Sequence, residues 1–252
     1  ARRGLQRDDK YRDRINISDD HVFSGFDCHE KIAQVDCDII IMCTAPAFRG
    51  PQLMAAIKAG KHVFTEKPIA TDVEGCRMVM EAADLATEKG LSIVAGTQRR
   101  HELSRIALME RIHDGQIGEL VGGQCYWYGG GIWYRGHNEG MSELEWQCWN
   151  WYHFTWLSGD QICEQHIHNI DVLNWCFGGP PKQILAVGGR GVRDYSDEAK
   201  RVAQALNGTT DGWEKYNGDI WDHIFAEFEY DNGARCLSFS GHGPGSGRNG
   251  ES

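Results

Sequence analysis

The feature that most constrains this chain is a regular alternation of strand and helix patterns between Asp36 and Arg100. Three short apolar runs predict strands, and they lie at residues 38–44, 61–65 and 91–95. The two segments between them contain helix-forming residues and end at Gly60 and Gly90. Strands that alternate with helices join into a parallel sheet through right-handed crossovers. The sequence therefore predicts a parallel α/β sheet for this region.

Finer signals predict details of that sheet. The first run contains three consecutive isoleucines, and we expect a strand that is buried on both faces. Pro51 suits the first turn of the helix that follows. Thr71 and Glu74 have the spacing of a capping box, which predicts the start of the second helix.

The pattern changes beyond His101. Helix and strand signals follow at residues 103–113 (helix), 119–128 (strand), 160–177 (helix), 184–188 (strand) and 222–240 (two strands). The turn sequence Asp231-Asn232-Gly233 separates the last two strands. This order predicts an α+β domain with a largely antiparallel open sheet. We place the boundary near residue 100, which gives one domain at 1–100 and a second at 101–252.

Composition argues against several classes of function. The net charge of −10 argues against binding to nucleic acid or to an anionic membrane. No apolar run has the length of a membrane span. The nine cysteines lie singly, without a CxxC pair, and favour reduced thiols. We therefore expect a cytoplasmic protein, with periplasmic export as the alternative if a signal precedes Ala1.

The first motif that carries chemistry is Thr65-Glu66-Lys67-Pro68. It comes at the carboxyl end of a predicted parallel strand, where open α/β sheets bind their ligands. A lysine before proline is held out of helical geometry, so its side chain can be directed into the crevice. An ordinary exposed lysine in a surface loop is the alternative interpretation.

The second motif lies at residues 159–171, within the predicted helix. A polar stripe runs along that helix and consists of Gln161, Glu164, His168 and Asp171. A carboxylate one turn from an imidazole can orient it and raise its basicity, which suits a general base. A solvated polar face is the alternative. His166 and His168 diverge by about 200° around a helix, so we predict no metal site here.

The third feature is an aromatic segment at residues 146–156. Aromatic rings with nearby imidazole and amide donors suit sugars, whose C–H faces are apolar and whose rims are polar. The candidates for substrate binding in this segment are Trp151, Tyr152 and His153. Packing in the core or at a subunit interface explains most of these rings equally well.

A glycine-rich run at residues 245–250 matches the dinucleotide fingerprint G-x-G-x-x-G. The chain ends two residues later, so no helix follows the run. The fingerprint works because a helix N-terminus holds the pyrophosphate. We therefore do not interpret this run as a phosphate site.

Taken in order, these motifs resemble the glucose-fructose oxidoreductase, inositol dehydrogenase and MocA (Gfo/Idh/MocA) family. The resemblance rests on residues 39–49, on the Ala-Gly-Lys-His-Val-Phe-x-Glu-Lys-Pro signature at 59–68, and on 159–171, with His168 and Asp171 in register. Two residues depart from the family pattern. Glu164 stands where the family usually has aspartate, and Asp160 stands where it has a second glycine.

The resemblance implies a partial Rossmann-type doubly wound parallel sheet that binds NAD or NADP, followed by a C-terminal domain for a sugar or polyol substrate. Lys67 would reach the nicotinamide carboxamide and the reacting hydroxyl, His168 would accept the hydroxyl proton, and Glu164 would hold the imidazole. Asp171 would contact the substrate. The other residues expected beside the cofactor are Thr44, Ala45, Pro46, Arg49, Glu66 and Gln98. The aromatic-rich open sheet predicts a homo-oligomer.

In the family, a strand, a glycine-rich phosphate loop and a second strand would precede Ala1, and further strands would follow Ser252. We therefore expect an internal fragment that binds NAD(P) poorly by itself. Two other functions stay open from the sequence. One is a redox-neutral sugar lyase, hydrolase or epimerase that uses bound NAD transiently. The other is a non-catalytic sugar-binding or assembly protein with a degenerate cofactor site.

Overall fold

The computed structural model of the chain describes residues 2–192 and 194–243, so the glycine-rich run at 245–250 lies outside the described residues. The strands are β1 (Ile39–Met42), β2 (His62–Thr65), β3 (Ile93–Ala95), β4 (Gly122–Gly129), β5 (Gln183–Gly189), β6 (His223–Glu229) and β7 (Arg235–His242). The helices are α1 (Arg2–Arg7), α2 (Cys28–Ala33), α3 (Arg49–Lys58), α4 (Val73–Glu88), α5 (Leu103–His113), α6 (Glu143–Trp149), α7 (Thr155–Ser158), α8 (Asp160–Glu164), α9 (Ile167–Phe177) and α10 (Ser196–Asn207).

The first sheet is parallel, with the order β1-β2-β3, as the alternation of strands and helices predicted. Its core side chains, such as Met42 and Val63, pack with α3 and α4. The expectation that β1 is buried on both faces is wrong. Ile39 and Ile41 are 60% and 69% exposed, because the core formed with α3 and α4 receives only the alternate side chains of this strand.

The capping box predicted at Thr71 and Glu74 is also wrong. The cap of α4 is Asp72, whose backbone is extended and whose Oδ1 accepts from the Gly75 N–H at 2.6 Å. Thr71 lies one residue too early, and its hydroxyl instead donates to the Trp156 carbonyl at 3.4 Å. Aspartate and threonine both cap helices well, so the residue at which the chain turns into the helix decides between them.

The second sheet has the order β4-β7-β6-β5. β5 and β6 are antiparallel, as are β6 and β7, whereas β4 is parallel to β7. This mixed, largely antiparallel sheet agrees with the prediction. α9 packs on its inner face, where Leu173 contacts the same cluster as Phe228 and Cys236. The outer face carries exposed apolar side chains, among them Leu185 and Val187.

The single helix predicted from Asp160 to Phe177 is wrong, because the structure divides it into α8 and α9. The helical hydrogen-bond pattern breaks at His166, whose N–H bonds to the Gln161 carbonyl, five residues back. His166 is fully buried, and its Nε2 lies 2.7 Å from the Ser238 hydroxyl of β7. A bond from the second sheet to the middle of the segment thus accompanies the interruption of the helix.

The aromatic segment begins within α6 and packs against α10, and the sequence predicted neither of these helices. A capping box of Ser142 and Glu145 starts α6. Trp146 of α6 is fully buried and shares one cluster with Phe154, Tyr216 and the apolar face of α10. Most of this aromatic segment therefore forms a core of its own.

All nine cysteines are free thiols. Within the described ranges, no helix combines the length and the apolar character needed to cross a membrane. The cytoplasmic location expected from the cysteines stays a prediction.

Candidate active site

One buried arginine, Arg49, joins the carboxyl ends of β1 and β2. Its Nη2 donates to the Thr44 carbonyl at 2.6 Å, and its Nη1 donates to the carbonyls of Glu66, at 2.6 Å, and Pro68. A planar guanidinium suits this position because its several donors can bond two chain segments at once. Arg49 therefore fixes the loop that carries Glu66 and Lys67.

Lys67 forms an ion pair with Glu164 of α8. Its Nζ lies 3.0 Å from each carboxylate oxygen of Glu164 and also donates to the main-chain carbonyl of that residue. The two side chains are only 12% and 9% exposed. Burial raises the pKa of Glu164, and the positive charge of Lys67 opposes that rise. The pair ties the end of β2 to the helix that packs against the second sheet.

His168 of α9 faces a cavity of about 490 Å³ at the carboxyl ends of β2 and β3. The cavity is lined by Phe64, Glu66, Lys67, Ala95, Gly96, Gln98, His101 and His168. The imidazole is 8% exposed and makes no hydrogen bond to any described residue. Burial and the nearby charges of Lys67 and Arg99 lower its pKa to about 4, against a smaller effect of Asp171. His168 is therefore neutral near pH 7, so a ring nitrogen can accept a proton, but the ring is a weaker base than the sequence predicted.

The predicted contact between Glu164 and His168 is wrong. The two residues would share one face of a continuous helix, but the helix is interrupted between them, at Gln165 and His166. The Glu164 carboxylate instead bonds Lys67 and the side-chain amide of Gln165, at 3.0 Å. Glu164 thus holds Lys67, and its carboxylate does not orient the His168 imidazole.

Four cavity residues were missed from the sequence: Phe64, Ala95, Gly96 and His101. The first three could have been found, because they lie at the carboxyl ends of predicted strands. A Cβ at Gly96 would lie 2.7 Å from a Glu66 carboxylate oxygen, so a larger residue there would displace the Glu66 side chain. His101 had no such signal, since it enters the cavity through the irregular turn Gln98–His101.

The structure places several predicted contact residues away from the cavity lining. Thr44, Ala45 and Pro46 follow β1, and the Thr44 hydroxyl donates to the Gln52 side chain at 2.6 Å. Asp171 was expected to contact substrate, but both of its carboxylate oxygens accept from Arg100 at 2.9 Å. Its charge is already paired within the protein.

Trp151, Tyr152 and His153 also do not line the cavity. His153 has no exposed surface, and its Nε2 lies 2.6 Å from the Trp133 carbonyl. The Tyr152 hydroxyl lies 3.1 Å from His242 Nε2. The structure thus places these three side chains in packing contacts, which was the other interpretation open from the sequence.

In the part of the chain that the structure describes, no group of three or more His, Cys, Asp or Glu side chains is arranged to hold a metal ion. His166 and His168 face different surroundings. His166 bonds Ser238 of the second sheet, whereas His168 faces the cavity.

Comparisons with known proteins agree with this architecture. A sequence profile described as "Oxidoreductase family, NAD-binding Rossmann fold" matches residues 4–95. A profile for the GFO/IDH/MocA C-terminal domain matches residues 106–242. The chain is similar to inositol 2-dehydrogenase of Pseudomonas syringae, with 39% identity over 39% of this chain and 29% of the relative. It is also similar to inositol 2-dehydrogenase of Klebsiella pneumoniae, with 29% identity over 63% of this chain and 40% of the relative.

Solved structures show the same fold. Scyllo-inositol dehydrogenase of Lactobacillus casei, with bound NAD(H) and scyllo-inositol, has a TM-score of 0.61 and 20% identity over 92% of this chain and 57% of that one. Aldose-aldose oxidoreductase of Caulobacter crescentus has a TM-score of 0.63 and 21% identity over 92% and 58%. The matches thus span less than half of the curated relatives and little more than half of these structures. Because the C-terminal profile alone matches more than half of the chain, the chain belongs to the Gfo/Idh/MocA family of oxidoreductases.

Proposed function

We propose that this protein is an NAD(P)-dependent oxidoreductase that transfers a hydride between a hydroxyl-bearing carbon of a sugar or polyol and the nicotinamide. One observation carries the proposal. Lys67 and a neutral His168 face the same cavity, at the edge of a parallel sheet where such cofactors bind. The inositol dehydrogenases among its relatives support a polyol as the substrate class.

The cavity fits the nicotinamide end of such a cofactor. Phe64 and Ala95 offer apolar surface to a ring, while Gln98 and Lys67 offer donors to a carboxamide. Because Gly96 has no Cβ, its backbone can lie close to Glu66 in the cavity wall. The bound cofactor supplies the carbon that takes up or returns the hydride. NAD is the first choice, since the profile and one solved relative name it.

The chain's own residues would place the substrate and move its proton. His168 would accept the hydroxyl proton on a ring nitrogen, for which it must be neutral. Lys67 would hold the hydroxyl oxygen. The ammonium group of Lys67 contacts the carbonyl and both carboxylate oxygens of Glu164, so a substrate hydroxyl would take the place of one carboxylate contact. Glu164 would keep the lysine directed toward the cavity, and Arg49 would keep its loop in place.

Thr44, Ala45 and Pro46 would contact the cofactor farther along the sheet edge, after β1. In this proposal, residues 1–100 bind the cofactor and residues 101–252 complete the substrate site. The exposed apolar outer face of the second sheet would pair two copies of the chain. Light scattering of a Val187→Glu variant tests this pairing, because a charge at that position would dissociate the oligomer.

The proposed activity is tested in the full-length protein with NAD or NADP and a panel of inositols and aldoses. We expect net formation of reduced cofactor with a polyol. We also expect Lys67→Met to lower kcat by roughly a hundredfold or more, as loss of one preorganised donor does. Lys58→Met, at the exposed end of α3, is the matched control and should be unaffected.

The proposal is wrong if the wild type binds no nicotinamide cofactor, or if Lys67→Met is as active as Lys58→Met. Turnover of a sugar on tightly held NAD without net reduced cofactor would indicate redox-neutral chemistry instead. Binding of a sugar with neither cofactor binding nor turnover would indicate a non-catalytic protein.

A further inference from the structure

The turn Gln98–His101, which follows β3, directs its side chains to two different places. Gln98 and His101 line the cavity. The two residues between them, Arg99 and Arg100, instead reach the helix that carries His168. One short turn therefore contacts both the cavity and α9.

Arg100 forms a two-pronged ion pair with Asp171 of α9. Its Nε and Nη2 lie 2.9 Å from the two carboxylate oxygens, and Nη2 also lies 3.3 Å from the Asp171 carbonyl. The guanidinium carbon lies 4.9 Å from the ring centre of Trp175, one turn farther along the helix. A bidentate contact of this kind fixes direction as well as distance.

Arg99 makes a second connection, which is buried. Its Nη1 donates to the Asn169 side-chain oxygen at 2.8 Å, and the Asn169 amide donates to the Tyr126 carbonyl of β4 at 2.7 Å. Arg99 is 5% exposed and Asn169 is 1% exposed. The chain of bonds thus runs from the first sheet through α9 to the second sheet.

The position of the His168 side chain depends on how the first turn of α9 is held. Its imidazole makes no hydrogen bond to a described residue, and the break at Gln165–His166 separates it from α8. It lies in the first turn of α9, where helices are least constrained. The residues that the two arginines hold, Asn169 and Asp171, follow it by one and three positions.

We propose that Arg99 and Arg100 are positioning residues that clamp the first turn of α9 to the end of β3 and so hold His168 over the cavity. This inference rests on the proposed function for its kinetic consequence, but not for the clamp itself. It assigns Asp171 to the clamp, as the acceptor for Arg100. The charge of Arg99 also helps to keep His168 neutral.

The test compares Arg100→Gln with Arg105→Gln in the full-length protein. Arg105 is the matched control because it pairs with Glu102, at 2.6 Å, on the surface beside the same turn. We expect Arg100→Gln to lower kcat by roughly tenfold to a hundredfold, since small displacements of a catalytic group have large effects on rate. The cofactor Kd should change by less than about twofold, because neither Arg99 nor Arg100 lines the cavity. The exchanged pair Arg100→Asp with Asp171→Arg should recover part of the rate.

A second measurement needs no turnover and separates this inference from the proposed function. In an NMR titration, the His168 ring of Arg100→Gln should titrate at a higher pH than in the wild type, because a released turn admits water. Amide exchange in the first turn of α9 should also accelerate. If Arg100→Gln lowers only the melting temperature and leaves the titration, the exchange and kcat like those of Arg105→Gln, the clamp is wrong. If these NMR effects occur in a protein that reduces no cofactor, the clamp stands and the proposed function fails.

Discussion

Two regions of this chain carry aromatic, imidazole and amide side chains, yet these side chains have different surroundings. Around the cavity, the side chains of His168 and Lys67 line the same open space. In the segment 146–156, His153 has the same chemistry, but its ring is fully buried and bonded to a backbone carbonyl. Because the residue types are alike, the difference lies in their hydrogen bonds. A side chain whose polar atoms are bonded within the protein stabilises the fold, whereas one that faces the cavity can act on a ligand.

The largest difference between the regions should appear when one substitution is made in each. We expect His168→Asn to lower kcat by roughly a hundredfold to ten-thousandfold, the usual contribution of a general base, and to leave the melting temperature nearly unchanged. His153→Asn should instead lower the free energy of unfolding by about 1–3 kcal/mol, because the Trp133 carbonyl loses its buried partner. Its kcat per folded molecule should stay near that of the wild type.

Steady-state kinetics and urea unfolding of the two variants check this prediction. Equal kinetic losses in both would break the comparison, since His153 would then contribute to the reaction. His166→Asn adds a third case, because His166 is buried against Ser238 and should behave like His153. Recovery of His168→Asn activity with added zinc would favour a metal site instead.

The next largest effect should come from the packed region. Trp146 contacts Phe154 and Tyr216, with ring centres at 5.6 and 5.4 Å, and its indole N–H donates to the Arg135 carbonyl at 3.2 Å. We expect Trp146→Ala to lower the free energy of unfolding by about 3–5 kcal/mol, as removal of a buried tryptophan does. Chemical unfolding measures this loss, and the exposed Trp149→Ala is the control. A loss below that of Trp149→Ala would show that the segment is not a core.

The pH dependence should distinguish the regions through His168. Its pKa is lowered to about 4, mainly by burial, from the ordinary histidine value of 6.5. The folded protein therefore binds fewer protons than the unfolded chain between these values, so the free energy of unfolding falls as pH falls from 6.5 toward 4. At about 1.4 kcal/mol per pKa unit, this one residue lowers the free energy of unfolding by up to about 3.5 kcal/mol across that window.

Unfolding measured at several pH values in wild type and His168→Asn checks this contribution. The variant should lose less stability between pH 6.5 and 4 than the wild type, and the acid limb of wild-type kcat/KM should lie well below pH 6.5. An acid limb near 6.5 would show that His168 is more solvated than its burial indicates.

The two regions also differ in how far the sequence could predict them. The parallel sheet and the Lys67 loop followed from local signals, since strand ends and glycines are visible in the chain. The break at His166 did not, because it accompanies a bond to Ser238, which is 72 positions away. For the same reason the partner of Glu164 was missed, since the approach of Lys67 depends on how the two sheets pack. The helix α10 did have a signal that we overlooked, namely Ala199, Val202 and Ala203 at helical spacing.

The smallest expected effect concerns Thr71 and Asp72, where the two regions meet. Asp72 caps α4, so Asp72→Ala should lower the free energy of unfolding by about 1 kcal/mol. Thr71 makes only a long bond, 3.4 Å, to the Trp156 carbonyl of the aromatic segment, so Thr71→Ala should change stability by less than about 0.5 kcal/mol. Urea unfolding of both variants, with Thr87→Ala on the same helix as a reference, measures the difference. If Thr71→Ala has the larger effect, the helix begins one residue earlier, and the capping box that the sequence predicted is correct.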